Sequence, residues 1–440
     1  MKRIVTAAVA SSLLAGCGIF GGGSGPRTPT VGNRQAVLNT ETPIAADPAL
    51  ASTPVTVPDP VTNPEWPQPG GNPAHSMVHV GLSATPTRAW SVSIGRGSGP
   101  RGRLAAEPVV AGGRVYTIDT SSTVRAFDAG SGGLAWERQI RGEQATSDTL
   151  FGGGVSFDNG RLYVTNGAGY ATALNAANGE QIWQVKPGGP LRGAPTVASG
   201  SVYAISQDNQ LYALSAADGR TQWTGIGAVE LAGVFGTAAP AFAQSTIVAG
   251  FSSGELTAYR YENGQVVWQD ALARTGISTI VGNLSDIDAD PVVDNGRVFA
   301  VGQGGRMVAV ELITGQRAWE LNIAGISTPW VAGDWVFVVT DRAQLLAVSR
   351  SSGRVRWISQ LQRYRENNNE RSGTVFWRGP ILAGGTLVLP SSNGQIALVN
   401  PADGSVRGMI PHGNSVSLPP VIANGTMYIL DDGGTLTAYR

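Results

Sequence analysis

Three carboxylates at alternate positions, Asp286, Asp288 and Asp290, form the one run in this chain that looks able to chelate a divalent cation. A calcium loop of the EF-hand type needs glycine at the next position and a glutamate at the twelfth. Pro291 and Arg297 stand there instead, so at most a weak cation site is expected. The bland alternative is a loop whose carboxylates are solvated or cap nearby backbone N–H groups. The three histidines, His75, His79 and His412, are scattered. The sequence holds no HExxH, GxSxG or Walker-type Gly-Lys motif. Its single cysteine, Cys17, excludes a disulfide within the chain. Serine and aspartate are abundant, but at turn positions. The expectation is a non-enzymatic protein with no catalytic residue, no cofactor and no metal.

The elements that position these residues are repeated. Residues 193–223 hold an Ala-Pro opening, a short apolar run, SVYAIS, a polar turn, LYALS, an Asp-Gly turn and a last run ending in Trp223. Runs of about five alternating residues are strand-like, and four of them joined by tight turns make one meander. Such a meander cannot bury both faces alone, so repetition must do it. Parallel copies end at Trp136, Trp183, Trp268, Trp319 and Trp357; another has Gly408 near the expected tryptophan. The spacing of roughly 40–50 residues is that of four-stranded propeller blades. The last copy stops at Arg440 one strand short, while an unmatched strand around Trp90 precedes the first. Thr87–Ile94 is therefore expected to complete the final blade and close the ring, leaving no open edge. The fold expected is all-β: an eight-bladed propeller of four-stranded antiparallel blades.

Composition agrees. There are 60 glycines and 26 prolines, charged residues make up 14%, and the formal net charge is zero, which leaves no basic footprint for nucleic acid. Residues 1–16 read as a secretion signal, with Lys2 and Arg3 ahead of an apolar core too short to span a bilayer. Leu14-Ala15-Gly16-Cys17 resembles the lipobox of bacterial lipoproteins. The resemblance implies that Cys17 is acylated and that Gly18 after it directs the protein to the outer membrane. Residues 17–64 are rich in Gly, Pro, Thr and Ala and read as a flexible tether. Residues 65–440 are assigned to the propeller, with 65–82 packing on it before the closing strand.

The blade repeat resembles that of quinoprotein alcohol dehydrogenases, as in Leu312-Ile313-Thr314-Gly315 with Trp319 and Asp218-Gly219 with Trp223. Those enzymes place a quinone and a metal at the ring centre beside an adjacent-cysteine pair, which one cysteine cannot supply. A quinone-dependent periplasmic dehydrogenase and a carbohydrate- or peptide-binding propeller stand as the alternatives. The repeat is interrupted at 138–154, 225–237, 271–290 and 359–376, the last holding the polar insert 362–371; all four connections emerge on one face. The lipobox, the tether, the eight Trp-repeat blades and Leu284-Ser285-Asp286-Ile287-Asp288 before Pro291 together resemble the BamB family of outer-membrane β-barrel assembly lipoproteins. The resemblance implies a scaffold that binds a periplasmic POTRA domain of BamA and assists or hands on nascent outer-membrane proteins. Asp286 and Asp288, flanked by Leu284 and Ser285, would carry that contact. In the preceding inter-blade loop Val234 takes the family's aliphatic position. Phe235 takes its arginine position, which exchanges a salt bridge for an apolar anchor. Packing between blades is the plainer role for Val234 and Phe235.

Overall fold

The computed structural model describes residues 44–140, 142, 150–228, 238–272 and 285–440. Eight four-stranded antiparallel sheets make up the ring. Blades 1 to 7 take their strands in sequence order, from Val109–Ala111 as the inner strand of blade 1 to Val406–Pro411 as the outer strand of blade 7. Blade 8 is composite: Val421–Ala423, Thr426–Leu430 and Thr435–Tyr439 are completed by Arg88–Ser93. Trp90 faces Ala438 and Ser93 faces Thr435 in that pairing. Hydrogen bonds from Thr87 to Arg440 (2.6 Å) and from Ile94 to Gly434 (2.9 Å) extend it at both ends. The expected closure is present.

Neighbouring blades are latched by the repeated tryptophan. Each of Trp90, Trp136, Trp183, Trp223, Trp268, Trp319 and Trp357 lies opposite an alanine of its own blade. The small alanine lets the indole cross to the next blade. There its Nε1 donates to a backbone carbonyl at 2.7 to 3.3 Å. Its ring lies against the glycine of that blade's last turn. Gly264 shows why glycine is needed: its φ is +70°, and a Cβ would lie 2.5 Å from Cε3 of Trp223.

The register corrects one reading and explains it. The latch position of blade 7, opposite Ala397, is held by Met409 rather than Gly408. The third and fourth strands of blade 8 come from opposite ends of the propeller sequence, so no turn joins them and no glycine platform exists there. An indole from blade 7 would have nothing to dock on, and the tryptophan is replaced where its receiver is missing.

The inner strand of each blade leaves an unpaired edge facing the channel, and residues 63–82 cover these edges as a hub. Trp66 pairs with Val110 of blade 1, and Pro67 accepts from Phe157 of blade 2. The Gln68 side chain bonds both N–H and C=O of Val197 in blade 3 (2.8 and 2.9 Å). Pro73 and Ala74 accept from Phe242 of blade 4 and Val293 of blade 5. Val78 accepts from the Trp330 indole of blade 6 (2.7 Å), and Val80 pairs with Leu382 and Gly384 of blade 7. Leu82 and Asn63 reach blade 8 at Gly425 and Ile422. One short segment thus satisfies backbone groups of seven blades, and an indole of the remaining one, that would otherwise be buried unpaired.

The compositional reading of residues 17–64 as tether does not hold for residues 44–64. Residues 44–64 lie on the propeller: Asp47 donates to Val355 O (2.7 Å), Arg356 Nε to Thr53 O (2.7 Å), and Val55 is buried. Backbone pairing and a few well-placed apolar residues suffice, because the sheets already supply the surface. Residues 1–43, which contain the signal, Cys17 and the rest of the tether, lie outside the described residues.

Candidate functional site

The four strands of each blade alternate in direction. Connections from an outer strand to the next inner strand therefore share one face with the turns between second and third strands. The aspartate loop, residues 285–290, is on this face, ahead of blade 5. It is pinned on several sides. Ile287 N donates to Phe251 O of blade 4 (3.2 Å), and Gln303 N of blade 5 donates to Asp286 O (2.9 Å). Asp290 N donates to Thr328 Oγ1 ahead of blade 6 (3.1 Å), and Asp290 Oδ1 accepts from Ala239 N (2.6 Å).

The structure brings Asp286 and Asp288 together but turns them inward. Arg192, from the connection ahead of blade 3, lies 3.4 Å from Asp286 Oδ1 and 3.6 Å from Asp288 Oδ1. Gln303 Nε2 donates to Asp288 Oδ2 (2.5 Å). Asp286 is 1% exposed. Burial, and then the like charge of Asp286, push Asp288 up to about 7, against the opposing pull of Arg192, Arg378 and Gln303. The pair is a structural brace of the loop. Ser285 is half-buried beside Ser252 O. Leu284, Val234 and Phe235 lie outside the described residues. Among the described residues no group of three or more His, Cys, Asp or Glu could hold a metal, so Asp286, Asp288 and Asp290 do not converge as a cation site.

Sequence reasoning missed Arg192. It lies 94 positions from Asp286, and its one mark is that Arg-Gly precedes an inner strand here and at Arg378-Gly379. The insert 362–371 contributes to a β-hairpin, Tyr364–Glu366 with Asn369–Thr374, on the same face. The histidines serve the scaffold. His75 Nδ1 donates to Pro291 O (2.8 Å), Gly385 N donates to His79 Nε2 (2.8 Å), and His412 Nδ1 bonds the Tyr439 hydroxyl (2.8 Å).

On the loop side of the hub lies a cavity of about 800 Å³, within the about 300–1,000 Å³ typical of ligand pockets. Trp66, Gly70 and His75 of the hub line it, with Glu107, Asp288, Asp290, Trp330, Trp377 and Arg378 among its walls.

The family model described as "Outer membrane protein assembly factor BamB" matches residues 78–147 and 120–359. A protein of that name from Salmonella typhimurium is 30% identical over 359 residues, which is 80% of this chain and 88% of the relative. The crystal structure of BamB from Moraxella catarrhalis superposes with a TM-score of 0.68 at 18% identity, covering 81% of this chain and all of that one. The quinohemoprotein alcohol dehydrogenase of Comamonas testosteroni matches with a TM-score of 0.66 at 15% identity, over 86% of this chain and 80% of the enzyme. That second likeness is one of fold. On sequence and fold together, the chain belongs to the BamB family of outer membrane protein assembly factors.

Proposed function

We propose that the chain is a non-enzymatic scaffold of the outer-membrane β-barrel assembly complex. In this reading an acylated Cys17 holds it on the periplasmic side of the outer membrane. It docks on a POTRA domain of BamA through the face that carries residues 285–290. The names of its relatives support the assembly role. The observation that carries the docking site is the bracing of this loop against blades 3, 4, 5 and 6 by Arg192, Phe251, Gln303 and Thr328. A loop held this rigidly loses little conformational freedom on binding, so more of its contact energy appears as affinity. Because Asp286 is buried, its role is to fix the loop's shape, while Ser285 and the neighbouring connections meet the partner.

Capture of purified BamA periplasmic domains tests this with wild type, Asp286→Ala/Asp288→Ala and Arg192→Ala. Both variants are expected to lose capture, Arg192→Ala because it releases the same brace. Equal capture by all three would refute the site, and no capture by wild type would refute the function. Mass spectrometry of the processed N-terminus tests the anchor: an unmodified Cys17 would remove it.

A further inference from the structure

Six residues that stand just before the proline opening an inner strand line the central cavity: Glu107, Ala194, Asp290, Thr328, Gly379 and Pro419. The blade geometry aims this position at the channel, and two of the six are acidic. Glu107 belongs to blade 1 and Asp290 to blade 5, opposite members of a ring of eight. Neither forms an ion pair with arginine or lysine among the described residues. Arg192 is committed to Asp286 and Asp288, and Arg378 is set against Asp288 and Asp432. Their link to the hub is Gly70 N, which donates to Glu107 Oε1 (3.3 Å).

A second feature points the same way. His75 Nδ1 is 2.8 Å from Pro291 O, and a carbonyl only accepts, so Nδ1 carries the proton. Nε2 is left as a lone-pair acceptor, and it is buried with no hydrogen-bond partner among the described residues. Desolvation lowers the ring's pKa to about 4, so it is neutral near pH 7. Beside it Trp66, stacked on Trp330 at 6.3 Å, also lines the cavity. Two carboxylates and a neutral acceptor beside an aromatic ring form a cation-compatible wall.

We propose that this pocket binds one organic cation, a primary ammonium group, between Glu107 and Asp290, with His75 Nε2 as a further acceptor and Trp66 as an aromatic flank. The group belongs to a free amine or to a lysine side chain of a polypeptide reaching in from the loop face. Burial raises both carboxylates to about 7, Glu107 with an added push from Asp290. A bound ammonium favours their ionised forms, so affinity rises as pH climbs through this range. Asp288, Asp341 and Asp432 add negative potential, and Arg103 and Arg378 oppose it.

Titration calorimetry on the full chain, with tryptophan fluorescence as a second readout, tests the pocket. The probes are putrescine, a short Gly/Ser peptide with one lysine, its norleucine twin, and butyrate. Saturable binding of putrescine would identify a free-amine site. Binding of the lysine peptide without putrescine would identify a side-chain site. Glu107→Gln and Asp290→Asn are each expected to weaken binding by about tenfold or more, the scale of one charge-assisted hydrogen bond. The same probe is expected to bind more weakly at about pH 6 than at about pH 8. Both variants remove a buried charge and are expected to fold, which circular dichroism checks. If neither amine binds, if norleucine binds as lysine does, or if both variants bind as wild type, the proposal is overturned.

Discussion

The tryptophan latch makes a prediction whose size follows from the geometry. Gly264 and Gly296 both sit in turns at positive φ, +70° and +76°. Alanine at either position is forced into the left-handed region, at a cost of about 1 kcal/mol. The surroundings differ. Nothing lies within 4 Å of a Cβ at residue 296, whereas at residue 264 Trp223 Cε3 would be 2.5 Å away and Cδ2 2.7 Å away. The indole has little room to yield, because its Nε1 is tied to Tyr261 O at 2.8 Å and its ring packs on Tyr203 and Tyr259. Overpacking of this kind typically costs about 1–3 kcal/mol. Gly296→Ala is therefore expected to cost about 1 kcal/mol and Gly264→Ala about 2–4 kcal/mol. Urea denaturation followed by tryptophan fluorescence measures both. In the Trp223→Leu background the extra cost of Gly264→Ala is expected to vanish, because the clashing ring is gone. Equal effects of the two glycine substitutions, or an undiminished effect of Gly264→Ala without Trp223, would refute the latch.

Met409→Trp is expected to give no gain in denaturation midpoint, since blade 8 lacks the turn that would receive the indole; clear stabilisation would count against that explanation. Gln68→Ala leaves N–H and C=O of Val197 without their hub partner and is expected to cost about 2–3 kcal/mol in urea melts, against a negligible loss for an exposed glutamine. Glu107 is held at about 7 by burial, above its unfolded value, so the folded state resists its ionisation. Stability is then lost as pH rises from about 4 towards 7. Glu107→Gln is expected to raise stability by about 1–2 kcal/mol above that window and by nothing below it, which denaturation at several pH values reads out.

The ring was legible because its period is written in large residues. A tryptophan in seven of the eight blades and an Asx-, Ser- or Thr-Gly turn in seven of them mark the repeat, and the missing final strand announces the closure at Trp90. Residues 65–82 were expected to pack on the propeller, but their role as a hub was not legible, for a physical reason. It works mainly through backbone pairing with strand edges, which imposes no side-chain period, so Asn63–Leu82 carries no repeat to detect. The same property hid the docking of residues 44–64 behind a tether-like composition. Arg192 escaped because a brace between distant connections leaves no local spacing. Glu107 and Asp290 share a repeat position, yet their meeting across the channel emerges only once the ring is closed.

The face assignment meets its most direct test in hydrogen–deuterium exchange on the full chain with and without purified BamA periplasmic domains. Slowed exchange at residues 285–290 and the connections around them is the expected result. Protection confined to the opposite face, at turns such as Gly112-Gly113, Ser199-Gly200 and Asn295-Gly296, would contradict it, as would no protection at saturating partner.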